Sequence, residues 1–266
     1  MDPNAAYANA AYIKHAESFP LKWQQQAQNW REHANARLDI PYGPDARQKL
    51  DLFLPKQRPK GLAMFIHGGY WQAFGRKDWS HLAAGCVARG WAVAVPSYRL
   101  APDVRIADIT QDIVAALEMA AGMIAGPIAV TGHSAGGHLS ARMVCDGVGL
   151  APGVQGRIAR VAPISPVADL RPLLGLDMNE VLRLDDAEAA AESPVLCAPV
   201  AKVGVDVWVG ANERPVFIEQ AGWLADAWDG ALYIEPGKHH FDVIDALADP
   251  KSALVARLLG ENRVTG

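Results

Sequence analysis

Five residues, Gly132-His133-Ser134-Ala135-Gly136, stand between a short apolar run at 127–131 and a stretch with helical patterning. A strand that must turn straight into a helix about one residue constrains the backbone on both sides. The flanking glycines let strand and helix approach closely, and the central serine is held at a sharp bend with its hydroxyl above the sheet. The N–H of Ala135 then points to where negative charge would gather on an acyl oxygen. A G-x-S-x-G pattern by itself is common. Its weight here comes from the chain around it.

Apolar runs alternate with helical stretches on both sides of that turn. Residues 62–66, 91–95, 158–164 and 205–209 read as strands buried on both faces, and 231–234 as a further strand. The spacing predicts helices over about 78–89, stopped by Gly90, over 106–124, stopped by Gly126-Pro127, and over about 214–228. A hairpin comes first, with strands at 36–41 and 48–54 around Tyr42-Gly43-Pro44-Asp45. Repeated strand–helix units imply an α/β fold with a mostly parallel sheet and helices on both faces. Residues 1–36 read as a helical arm that packs over the main domain, with Trp23, Ala27, Trp30 and Ala34 at helical spacing. Residues 37–266 then make one domain. From about 166 to 199 the alternation fails and leucines appear among acids. That stretch reads as a small helical insertion serving as lid or pocket wall.

Composition narrows the function classes. A chain of 266 residues buries a core without metal or disulfide staples. Its net charge of −4, with no basic block, argues against nucleic acid and against an anionic membrane surface. No apolar stretch is long enough to span a membrane. Met1-Asp2-Pro3-Asn4 offers neither a basic nor an apolar leader region, so no signal peptide and a cytoplasmic location are expected. Cys86, Cys145 and Cys197 are odd in number and widely spaced, which reads as buried small hydrophobes in a reducing compartment.

His67-Gly68-Gly69-Tyr70-Trp71 follows the run at 62–66. Two glycines after a strand leave N–H groups unshielded, as an oxyanion-binding loop requires. Downstream, Glu213 lies just beyond the strand at 205–209, and His239-His240 follows the strand at 231–234. Serine, then acid, then histidine is the order in which such a fold assembles nucleophile, orienting carboxylate and base. Either histidine could serve as base. Asp206 is a second candidate acid, but it lies within the strand; Asp242 follows the histidines and would invert the order. His133 and His138 are five apart and no H-E-x-x-H occurs, so no metal is expected, and no phosphate-loop pattern points to a nucleotide cofactor. His138 and Trp208 read as packed structure, and Asp112, Glu118, Asp185 and Asp186 as solvated or capping charges. Asp169 and Arg171 read either as a contact for a polar substrate end or as a helix cap with a surface charge.

With the segments at 67–71, 98–102, 132–138 and 240–241 in view, the chain resembles the α/β-hydrolase family that includes hormone-sensitive-lipase-like esterases. His67-Gly68-Gly69-Tyr70-Trp71, Ser165-Pro166 with 169–173, and 239–244 resemble its arylformamidase (kynurenine formamidase) branch more closely. The likeness covers roughly residues 47–258. It implies a Ser–acid–His mechanism without metal or cofactor, with Ser134 as nucleophile, His240 as base, and Gly68, Gly69 and Ala135 as oxyanion donors. The eukaryotic members of the branch use Asp as the acid where this chain offers Glu213. The implied substrate is a small-molecule aryl formamide, with Tyr70 and Trp71 as an aromatic wall. Short-chain esters are the alternative, and a catalytically silent binding protein of the same fold is a third reading. A homodimer is compatible with all three.

Overall fold

The computed structural model describes residues 2–200 and 202–261. Met1 and residues 262–266, the ends of the expected arm and domain, lie outside the described residues.

Eight strands form one sheet: β1 (Ala36–Pro41), β2 (Lys49–Phe53), β3 (Leu62–Ile66), β4 (Ala92–Pro96), β5 (Ile128–His133), β6 (Ile158–Ile164), β7 (Gly204–Gly210) and β8 (Ala231–Glu235). Their spatial order is β1-β2-β4-β3-β5-β6-β7-β8. Only β2 runs antiparallel to its neighbours, β1 and β4; every other pairing is parallel. The helices are α1 (Pro3–Tyr7), α2 (Phe19–His33), α3 (Ala84–Ala88), α4 (Ile106–Met123), α5 (Ala135–Arg142), α6 (Pro152–Gln155), α7 (Asn179–Leu182), α8 (Asp186–Ala191), α9 (Pro215–Ala227) and α10 (Ala253–Leu258). No helix is long and apolar enough to cross a membrane among the described residues.

Strand pleating divides the core into two layers, because alternate side chains point to opposite faces. From β3, Leu62, Met64 and Ile66 join Ile109, Leu117, Leu139 and Phe217 on one face. Ala63 and Phe65 join Trp23, Leu82, Leu254 and Leu258 on the other. Continuous apolar runs are therefore what a sheet covered on both faces requires.

Several expectations change. The helix expected over 78–89 is two 3-10 turns, Arg76–Asp78 and Ser80–Ala83, followed by the short α3. Trp79 leaves the helical region (φ −127°, ψ 6°) between them, and its indole enters an aromatic cluster with Trp23. Asp112 is not solvated. It is buried and receives Arg99 Nη2 at 2.6 Å and Gln48 Nε2 at 2.8 Å. Asp185 does cap a helix, accepting from the Glu188 N–H at 2.8 Å. Cys145 and Cys197 are not free thiols. They form a disulfide across 52 residues, where Cys145 bridges to Pro199 in antiparallel fashion. Their sequence spacing carries no trace of that proximity. Cys86 is buried and free, and burial pushes its thiol up to about 12.

The order of the sheet positions the site. β3 lies between β4 and β5, so the strand order reverses there, and in open α/β sheets such a crevice at the strands' carboxyl ends is where ligands bind. Register pairs Ile66 with Gly132, which brings the loop after β3 beside the turn after β5.

Candidate active site

Ser134 joins β5 to α5 at φ 57° and ψ −117°, outside the regions that L-residues ordinarily occupy. Holding a side-chain-bearing residue there costs about 1–3 kcal/mol, so the surroundings must over-determine it. They do. Its N–H donates to the Ile164 carbonyl at 2.9 Å, and its carbonyl accepts from the His138 N–H at 3.0 Å. The two glycines are needed for close approach. A Cβ on Gly132 would stand 2.1 Å from the Gly136 carbonyl oxygen, and one on Gly136 would stand 2.0 Å from that of Ile66.

The loop after β3 faces this turn. Gly69 adopts φ +112°, and its carbonyl accepts from the Gln72 and Ala73 N–H groups at 2.9 and 3.1 Å. A Cβ on Gly68 would stand 2.7 Å from the His133 carbonyl oxygen. Ala135 occupies the first position of α5, where the N–H has no acceptor within the helix. One side chain and one backbone group brace the loop from behind. Tyr98 donates its hydroxyl to the His67 carbonyl at 2.9 Å and stacks on the His67 ring at 4.2 Å. Ala101 N–H reaches the Trp71 carbonyl at 2.9 Å.

The two histidines and the two carboxylates differ in their contacts. His240 Nδ1 lies 2.6 Å from Glu213 Oε2, and both residues are buried. Since the carboxylate can only accept, Nδ1 carries the proton and the lone pair is on Nε2. Glu213 Oε1 is itself fixed, accepting from Ser165 Oγ at 2.5 Å and the Gly210 N–H at 2.8 Å. The His240 ring is held between Phe217 and His133, with centroids 4.4 and 4.5 Å away. His239 instead pairs with Asp242 at 3.1 Å and packs against Phe19. Asp206 pairs with Arg160 at 3.0 Å. His133 stays neutral, its pKa held well below the usual histidine value by burial and secondarily by the His240 charge.

Ser134, His240, Gly68, Gly69 and Tyr70 all line one cleft of about 800 Å3. Trp23, Phe74, Trp79 and Phe241 give it an aromatic wall. Trp71, expected in that wall, is fully buried beneath the loop and meets His138 edge-on at 5.2 Å. Its backbone sits at φ 58°, which turns the indole into the core. The insertion at 166–199 contributes no residue to the cleft lining among the described residues. Its Leu170, Leu173, Leu176 and Leu182 are spent on the core. Asp169 and Arg171 pair with each other at 2.7 Å, away from the cleft. The roof is the N-terminal arm, which supplies Tyr7, Asn9, Glu17 and Pro20.

No group of three metal-ligating side chains converges among the described residues. His67 and His138, both held neutral at about 3 by burial, are structural. His138 Nε2 meets the Glu192 carbonyl at 2.7 Å.

A family model for the alpha/beta hydrolase fold matches residues 63–214, the span that contains both the loop after β3 and the Ser134 turn. This chain belongs to the alpha/beta hydrolase family. Among curated relatives, this hydrolase is 27% identical to the kynurenine formamidase of Salmo salar, over 85% of its own length and 82% of the relative's. It is 29% identical to that of Danio rerio, over 84% and 80%. A crystal structure from Silicibacter sp., which carries a provisional thioesterase label, superimposes with a TM-score of 0.95. That protein is 51% identical, with 97% of this chain and 99% of the other covered.

Sequence reasoning had no role for three groups that the hydrolase fold brings to the site. Ser165, directly after β6, sits at φ 47° and orients Glu213; the Gly210 N–H does the same from β7. Asn9 comes from the arm expected to pack over the domain, but no local pattern announces that it enters the cleft lining. Ser165 stands in a segment that carries the family resemblance, but its reach to Glu213 follows from the adjacency of β6 and β7 in the sheet.

Proposed function

We propose that this protein is a serine hydrolase whose favoured reaction is the hydrolysis of an aryl formamide, N-formylkynurenine giving kynurenine and formate. The observation that carries the reading is the 2.6 Å contact between His240 Nδ1 and Glu213 Oε2 beside a cleft that also holds Ser134. In this reaction Ser134 Oγ attacks the formyl carbon and its proton passes to His240 Nε2. The oxygen that becomes negative is received by the N–H groups of Gly68, Gly69 and Ala135. His240 then returns the proton to the departing aryl amine nitrogen as the C–N bond breaks. Water, deprotonated by His240, attacks the formyl ester; formate leaves and Ser134 regains its proton. Glu213 stays ionised and stabilises the imidazolium. Tyr70 and the aromatic wall suit a flat leaving group. The kynurenine formamidase names of relatives matched over most of the chain support the acyl group chosen here.

A second reading, short-chain esters or thioesters, is favoured by the thioesterase label on the 51% identical structure, since the same three side chains serve both reactions. A silent binding protein has no use for the hydrogen-bonded chain from Ser165 through Glu213 to His240 beside Ser134. The deciding experiment compares kcat/KM for N-formylkynurenine with that for phenyl acetate and a short acyl thioester. Ser134→Ala, run alongside, should lower kcat by about 10⁴-fold or more with melting unchanged. Higher kcat/KM for the esters removes the formamidase reading, and near-normal turnover by Ser134→Ala removes the serine mechanism.

A further inference from the structure

The arm roofs the cleft and carries a polar group that the reaction above does not use. Asn9 is 4% exposed and lines the cleft. Its Nδ2 donates to the Tyr70 hydroxyl at 3.2 Å. Tyr70 directly follows Gly69, and its own hydroxyl proton is committed to the Tyr7 carbonyl. A hydroxyl has one proton, so toward Asn9 it can only accept. That fixes the amide: Nδ2 faces Tyr70 and Oδ1 faces the other way. No side chain or backbone group of the described residues donates to Oδ1, and it is not among the side-chain atoms sealed from solvent. Among the described residues the cleft lining contains no Lys or Arg, and Glu17 is its single carboxylate.

We infer that Asn9 is a specificity-determining residue, whose Oδ1 accepts a hydrogen bond from an aliphatic ammonium on the substrate's leaving part, remote from the scissile nitrogen. The inference rests on the proposed reaction at Ser134 and adds to it the substrate class: an aromatic leaving group bearing a nitrogen donor, with the formyl carbon at Ser134 and the ring along Trp23, Phe74 and Phe241. In a largely apolar cleft, an amide acceptor that no protein group satisfies discriminates strongly, because leaving it unpaired is costly once water is displaced. The shared Tyr70 tie makes the roof and the oxyanion loop one unit.

The test uses two formamides, N-formylkynurenine and 2-formamidoacetophenone, which lacks the α-amino acid end. The quantity read is the ratio of their kcat/KM values. In Asn9→Leu that ratio falls about tenfold, the size of one hydrogen bond to a charged donor. In Asn9→Asp, which keeps an acceptor and adds charge, it stays at or above the wild-type ratio. A ratio within twofold of wild type in Asn9→Leu, with both substrates slowed alike, overturns the inference and leaves Asn9 as a clasp for the arm. A ratio that falls equally in Asn9→Asp overturns it too. Should wild type cleave neither formamide, the proposed reaction fails, and the inference is read from binding. The Kd of Ser134→Ala for kynurenine relative to 2-aminoacetophenone must then shift in the same directions when each Asn9 variant is added, or the inference falls with it.

Discussion

Replacing Glu213 by Gln probes the site's electrostatics while conserving its shape. Oε1 of Glu213 accepts from Ser165 Oγ and from the Gly210 N–H. The Gly210 N–H can only donate, so a glutamine must keep its oxygen there and turn its NH₂ toward His240. That NH₂ would donate to Nδ1, drive the ring proton to Nε2, and remove the lone pair that accepts the Ser134 proton. Escape requires flipping the amide, which sets two donors against each other and strands the Gly210 N–H at about 1–3 kcal/mol. Even then the imidazolium has lost a charged partner, worth about 1.5–3 kcal/mol more. The sum, roughly 2.5–6 kcal/mol, converts to a loss of about 10²- to 10⁴-fold in kcat at 1.36 kcal/mol per decade. The assay is steady-state turnover on the better of the formamide and ester substrates, with thermal melting as the control. A loss below tenfold at unchanged melting temperature would refute the assignment of Glu213 as the orienting acid.

Ser165→Ala should act through Glu213 alone, lowering kcat by about tenfold, as for one lost hydrogen bond to a charged group, while KM stays near wild type; a change confined to KM would place Ser165 elsewhere. Four buried histidines make the protein acid-sensitive. Burial holds His67 and His138 at about 3 and His81 at about 4, and holds His133 well below its ordinary value. The unfolded chain takes up these protons near pH 6.5 and the folded chain does not, so stability is full above that pH and falls as pH drops. Each of His67 and His138 accounts for about 2–3 kcal/mol by pH 4.5. The urea midpoint should therefore fall between pH 7 and 5, and the ring resonances of His67 and His138 should not titrate between pH 8 and 5; midpoints near 6.5 would contradict their burial.

The parts of the site that lie close in sequence were readable there. Gly132 to Gly136 carries its own geometry, since only small residues on either side of Ser134 let β5 meet α5. The strand runs were legible because burial on both faces removes polar residues from them. Glu213 could be preferred to Asp206 from its place beyond a strand end, and His240 to His239 from resemblance. Trp71 and the insertion at 166–199 were misread for one reason: an apolar residue near a site has the same composition whether it faces the cleft or the core, and here both were taken up by the core.

Read by itself, the chain determined the class of fold, the bend at Ser134 and the order of serine, acid and histidine, because these depend on neighbours within a few residues or on the sequential rhythm of strands and helices. Tertiary structure alone decided which carboxylate meets His240, which residue steadies that carboxylate, which cysteines join, and that the arm rather than the insertion covers the cleft. Those outcomes turn on contacts between residues tens to hundreds of positions apart, and such contacts are set by the register of the sheet and the competition for buried surface, neither of which leaves a local mark.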